Sequence, residues 1–142
     1  MGILFFMKSN FIRCGVIGWC WEVLYTGLHS LSRPDFDHKL MGRTSLFMFP
    51  IYGSAALLKP VAGLLRRKPF WIRGSVYTCL IYGAEYAAGS FLRKHQVCPW
   101  DYSHARYNYQ GLIRLDYAPG WFLLGLLYER VLLPHGRKQN LP

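Results

Sequence analysis

A carboxylate placed inside an apolar run constrains this chain more than any other feature. Glu22 sits at the middle of the run 11–31, within the stretch GWCWEVLYTG at 18–27. A bilayer core takes about 20 predominantly apolar helical residues, and a charged group at the centre of such a helix costs roughly 2.5–3.5 kcal/mol even on the lenient insertion scale. The other two glutamates, Glu85 and Glu129, also lie inside long apolar runs. The fold must bury these acids between helices and compensate them, so the expectation is an all-α, polytopic membrane protein.

Four runs are long enough to be membrane helices, at residues 11–31, 44–65, 70–92 and 117–133, which predicts a four-helix transmembrane bundle forming one integral membrane domain over 1–142. The mean hydropathy is only +0.10. That low value arises because 17 Lys and Arg are packed between the runs, and because ten Tyr and five Trp suit the membrane interface yet score as weakly hydrophobic. The net charge of +10 is concentrated beside apolar segments, as at Arg66, Arg67 and Lys68, so the expected partners are the bilayer and its anionic headgroups, with no nucleic acid. Cys14, Cys20, Cys79 and Cys98 show no CxxC spacing, so neither a metal site nor a disulfide framework is expected, and no cofactor is predicted. Residues 2–7 have no basic residue ahead of them and read as an interfacial lead-in, not a signal peptide.

Basic residues set the orientation. Placing the N-terminus in the cytoplasm puts Lys8, Arg13, Lys59, Arg66, Arg67, Lys68, Arg73, Arg130, Arg137 and Lys138 on that side, against Arg33, Lys39, Arg43, Arg93, Lys94, Arg106 and Arg114 on the other. Both termini are therefore expected to be cytoplasmic, in the plasma membrane or, for a bacterial protein, the inner membrane. The link 66–69 is so short that the second and third helices must be antiparallel neighbours.

Helical spacing assigns faces. Glu22 shares its face with Gly15, Gly18, Thr26 and His29, and Glu85 shares its own with Gly74, Thr78, Tyr82 and Gly89, so small and polar residues line up with each acid. Such stripes let helices approach closely and belong in the bundle interior. The candidate ligand or ion site is thus Glu22 and Glu85 with Thr26, Thr78, Tyr82 or His29. At the other end, Glu129 and Lys59 have similar depth and are expected to pair across the fourth and second helices. Gly42, Leu46 and Pro50 recur at the same spacing as Gly111, Leu115 and Pro119, which suggests two parallel two-helix repeats.

The loop after the third helix carries CPWDYS at 98–103. Cys98, Pro99, Trp100, Asp101 and Tyr102 bring a thiol, rings, a carboxylate and a phenol together behind a rigid proline. A plain interfacial belt, with Asp101 capping a turn, accounts for them as well as a functional motif does. Either way the loop should fold back on the outer mouth of the bundle. Asp116, three residues before Pro119, is expected as the N-cap of the fourth helix.

GWCWEVLYTGL, GRTSLFMFPIYG, EYAAGSFL, CPWDYS and GLIRLDYAPGWFLLGLLYE, in this order, resemble the transmembrane protein 229 family and its bacterial relatives, the CmpB-type, ABC-transporter type IV membrane proteins, over residues 15–131. The resemblance implies a polytopic protein of about four helices and names no chemistry. There is no GxxxxGK[ST], so coupling to ATP would need a separate chain. Three functions stay open: a transporter or permease-like subunit whose buried glutamates bind a cation, a proton or a basic group; an integral membrane enzyme on a lipid-type substrate using Glu22, Glu85, Asp101 or His95; and a structural or assembly protein. HExxH, GxSxG and paired-aspartate motifs are all missing, which leaves the enzyme without a reaction and makes "no enzyme" the better expectation. Four helices are few for a complete pathway, so a homo-oligomer or larger membrane complex is expected.

Overall fold

The computed structural model describes residues 2–35 and 38–133; Arg137 and Lys138, counted above, lie outside the described residues. The chain is mainly helical, as expected. Helix α1 (Gly2–His29) is followed by α2 (Met48–Gly53), a 3-10 segment (Ser54–Leu57), α3 (Leu58–Leu65), α4 (Phe70–Lys94) and α5 (Ala118–Leu132). Since α2, the 3-10 segment and α3 run on as one rod, four long helical segments stand where four were predicted. A two-stranded hairpin, β1 (Asn108–Tyr109) and β2 (Ile113–Arg114), is an addition that the sequence reading did not contain.

Local chemistry explains the boundaries. Helix α1 starts at Gly2, well before residue 11, because nothing between the two breaks a helix; the expected lead-in is helical. It ends as Arg33, held extended (φ −88°, ψ 145°) by Pro34, leaves the 3-10 turn of Ser30–Ser32. The second rod begins at Met48, not at residue 44. Inside it Pro60 offers no N–H to the carbonyl of Ala56, and the helix tightens into the 3-10 segment there. Helix α4 closes with Gln96 in the left-handed region (φ 59°). The amides of Gln96 and Val97 bond back to the carbonyls of Arg93 (3.0 Å) and Leu92 (2.9 Å), satisfying the exposed carbonyls of the last turn. The three residues between the paired Tyr109 and Ile113 make the turn: Gln110 and Gly111 both have positive φ, and the Leu112 amide bonds back to the Tyr109 carbonyl (3.0 Å).

Asp116 does not cap α5. The N-cap is Tyr117, without a side-chain bond. Asp116 instead takes the guanidinium of Arg114 at 2.9 Å. A nearby opposite charge is the stronger attraction for a carboxylate that is free to turn outward.

Packing runs in sequential pairs, α1 along the second rod and α4 along α5. Glycines make the approaches possible: a Cβ at Gly15 or Gly18 would strike the rings of Phe49 or Tyr52, and one at Gly74 or Gly125 those of Phe122 or Tyr77. The core comprises Cys14, Met48, Tyr52, Trp121, Leu124, Tyr128 and Leu132. Outward faces carry large apolar side chains along their length, among them Leu4, Val16, Leu24 and Leu28 on α1, Phe70, Trp71, Leu80 and Phe91 on α4, and Leu123 and Leu127 on α5. Among the described residues, Met48–Leu65 is the one helix both long and apolar enough, by length and composition, to cross a membrane. Polar, aromatic and charged residues interrupt the others, and α5 with 15 residues reaches only about 22 Å at 1.5 Å per residue.

The glycines matched in the expected repeat differ in what holds them. Gly42 presses its Cα side against the carbonyl of Val23, where a Cβ has no room, whereas Gly111 is needed for its positive φ of 68°. The matching glycines meet different physical demands.

Candidate functional site

The C-terminal ends of α1 and α4 and the N-terminal ends of α2 and α5 gather at one end of the bundle, beneath the loop 95–117. Between them is a cavity of about 390 Å³ whose wall includes Glu22, Glu85, Thr26, Tyr52, Trp100 and Trp121. Glu22 lies seven residues before the end of α1 and Glu85 nine before the end of α4, so both acids sit roughly 10–14 Å down from the mouth by helical rise. Below the first cavity a smaller, apolar one of about 80 Å³ shares Met48, Tyr52, Glu85 and Trp121 with it. Glu85 therefore lines both cavities, the larger with some polar wall and the smaller almost wholly apolar.

The two acids are held differently. Glu22 is half-buried, and its Oε2 accepts a bond from the Thr44 hydroxyl at 2.7 Å. Glu85 is only 6% exposed, and its Oε2 has no hydrogen-bond partner. The indole N–H groups of Trp21 and Trp121, on the same cavity wall, also lack partners. Trp121 faces Glu85 without a formed bond, and the Tyr52 phenol lies within electrostatic reach of both acids. Buried polar groups are normally paired, so three unpaired polar atoms around one cavity mark a place built for something to enter.

The remaining candidates divide. Thr26 lines the cavity, but its hydroxyl is engaged with backbone: it donates to the Glu22 carbonyl (2.8 Å) and accepts from the Arg43 amide (2.8 Å), pinning the extended stretch before α2 onto α1. Thr78 is buried and bonds the Gly74 carbonyl of its own helix (2.8 Å), away from both cavities. The Tyr82 hydroxyl reaches the carbonyls of Arg114 (3.1 Å) and Leu115 (3.0 Å), tying the loop to α4. His29 stacks on Tyr25 and meets the edge of Tyr117 outside the cavity wall. Helical spacing put all four on the acids' faces; which of them reaches the acids depends on neighbouring helices that spacing does not describe.

The CPWDYS loop lies over the mouth. Pro99, Trp100 and Tyr102 line the cavity. The Trp100 indole donates to the Leu112 carbonyl (3.1 Å) and the Tyr102 amide to that of Gly111 (2.8 Å). Burial pushes the Tyr102 phenol well above its ordinary value. Asp101 faces solvent and turns the chain by accepting from the Ser103 hydroxyl and from its amide (2.9 Å), bonds that hold its carboxyl below the usual range. The Cys98 thiol is 3.2 Å from the Trp100 carbonyl. The loop is a lid of rings fastened by backbone bonds.

Sequence reasoning missed Trp21, Tyr25, Tyr52, Tyr117 and Trp121. A signal for two of them existed in the repeat: Tyr52 and Trp121 each follow the repeat glycine, Gly42 or Gly111, by ten residues, and each lies beside the acid of its own unit.

At the opposite end Glu129, which the sequence reading assigned to Lys59, is clasped from α4. Arg73 pairs with one of its oxygens and the Tyr77 hydroxyl donates to the other. Arg73 and Tyr77 are four residues apart on one helical face, whereas the assignment to Lys59 rested on depth alone.

A helical bundle with an acid-lined, ring-walled cavity at one end is a class of architecture and not yet a function. The family described as "Putative ABC-transporter type IV" matches residues 9–140, nearly the full length, and the chain belongs to that family. No solved structure matches the chain.

Proposed function

We propose that the protein is a multi-pass membrane subunit of transporter type, whose cavity receives a cation, a proton or a basic group at Glu22 and Glu85. The observation that carries this reading is the carboxylate of Glu85, buried on the cavity wall with an oxygen unpaired. A buried acid without a protein partner for one of its oxygens is costly, and within a membrane such groups mark ion and substrate pathways. The family description agrees in kind. The membrane setting draws support from the inverted distribution of residues, with acids between the helices and large apolar side chains on their outer faces. All four helical segments cross the bilayer in this reading, α5 being extended by the 3-10 turn Leu115–Tyr117. Both termini are cytoplasmic, the cavity opens outward, and a second copy or a partner subunit completes the pathway. The likeness to the transmembrane protein 229 family belongs to the same proposal.

Proteoliposomes loaded with a pH-sensitive dye test it. Imposed gradients of Na+, K+ or methylammonium should change the internal pH through the wild type, and Glu22→Gln/Glu85→Gln should abolish the change while melting at a similar temperature. Equal traces from both folded proteins would sink the proposal.

A further inference from the structure

We infer that the group received between Glu22 and Glu85 is an alkylated ammonium, an organic cation, in preference to a metal ion. This rests on the proposed cation site and names its substrate class. The surroundings of the acids are the reason. Hard cations such as Ca2+ want about 6–8 oxygen ligands. Here the Thr26 hydroxyl is engaged with backbone and that of Thr44 is bonded to Glu22, and the other oxygens of the wall are largely the neutral phenols of Tyr25, Tyr52, Tyr102 and Tyr117, poor substitutes for the carboxylates and carbonyls a hard cation takes. A volume of about 390 Å³ falls within the roughly 300–1,000 Å³ of small-molecule pockets and far exceeds what one bare ion fills.

The rings are set as walls. Tyr117 meets Tyr25 at 74°, Tyr102 at 76° and Trp121 at 85°, with centroids 4.8, 5.6 and 6.1 Å apart. Packed edge to face, these rings form a continuous box in which the Arg114 guanidinium already lies over Tyr117, 4.6 Å from its centroid; a further cation within about 6 Å of an open ring face is attracted to it. An alkylated ammonium has little or no hydrogen-bond donation to satisfy, so it needs no ring of oxygen ligands, while its alkyl groups pack on the rings. Glu85 supplies the counter-charge from the floor. Arg43 lines the same wall and Arg114 lies over Tyr117, and among the described residues neither forms a salt bridge with Glu22 or Glu85. Trp100 and Tyr102 close the box from the loop.

The test uses the full chain in nanodiscs, titrated with tetraethylammonium, NaCl and CaCl2, followed by tryptophan fluorescence and calorimetry, with a thermal melt of every variant as the folding control. Tetraethylammonium should bind saturably and change the fluorescence. Its affinity should fall about tenfold or more in Glu85→Gln and several-fold in Tyr117→Leu, while Tyr117→Phe, which keeps the ring, stays near wild type. Saturable Na+ or Ca2+ binding that Glu85→Gln abolishes, without tetraethylammonium binding, would overturn the organic-cation inference and leave the cation site standing. Wild-type affinity in a folded Tyr117→Leu would overturn the ring box. Absence of any Glu85-dependent binding would overturn both readings.

Discussion

Glu85 and Glu129 are buried almost equally, at 6% and 8% exposure, yet the molecule treats them in opposite ways. Glu129 has both oxygens engaged, one by Arg73 and one by Tyr77, at the end of the bundle where α4 begins and α5 finishes. Glu85 stands on α4 roughly 18 Å further along by helical rise, beside a cavity and with an oxygen unpaired. The same helix thus supplies Arg73 to one acid and leaves the other without a base. Residue type and burial do not distinguish a structural acid from one available to a ligand; the partners do. A paired buried charge fixes how helices register, whereas an unpaired one needs a ligand or a proton.

Breaking the paired end should have the largest effect. Arg73→Met leaves Glu129 with Tyr77 alone, and removing one partner of a buried pair costs about 3–5 kcal/mol. Denaturant or thermal unfolding in detergent would register that loss, and adding Glu129→Gln should restore much of it. A loss below about 1 kcal/mol, the range of an exposed pair, would show that the two ends are not so different.

The unpaired end should respond less. In Glu85→Gln no ion pair is lost, so stability should stay within about 1 kcal/mol of wild type. The same unfolding measurement decides it: a loss as large as that of Arg73→Met would make Glu85 a structural residue after all.

The smallest effect belongs to the lid. Asp101 has its carboxyl depressed by its bonds to Ser103. A depressed folded value means that these bonds stabilise the turn above the unfolded aspartate value and are lost as pH falls through the folded one. Amide exchange at Ser103, corrected for the intrinsic pH dependence, should therefore lose protection on acidification below about pH 4. Asp101→Asn should abolish that dependence, and a variant that keeps it would place the titrating group elsewhere.

Much of this was legible in the residues. The runs marked four helical segments because apolar length, and the stops at Pro34 and Pro69, act locally, through backbone geometry that needs no neighbour. The stripes of Gly15, Gly18, Gly74 and Gly89 gave the buried faces for the same reason. The hairpin was less legible: β1 and β2 have two residues each, too short for alternation to register.

The site divides along the same line. Sequence alone determined that Glu22 and Glu85 would face inward, since a carboxylate in an apolar run is compensated only where other helices or a cavity meet it. It also marked CPWDYS as a compact loop. Only the tertiary structure decided that Thr78, Tyr82 and His29 turn to other partners, that Arg73 and Tyr77 clasp Glu129, and that Tyr25, Tyr52, Tyr117 and Trp121 stand around the acids. Those outcomes depend on which helix lies opposite which and at what height, and periodicity along one helix carries no information about the rotation or offset of its neighbour.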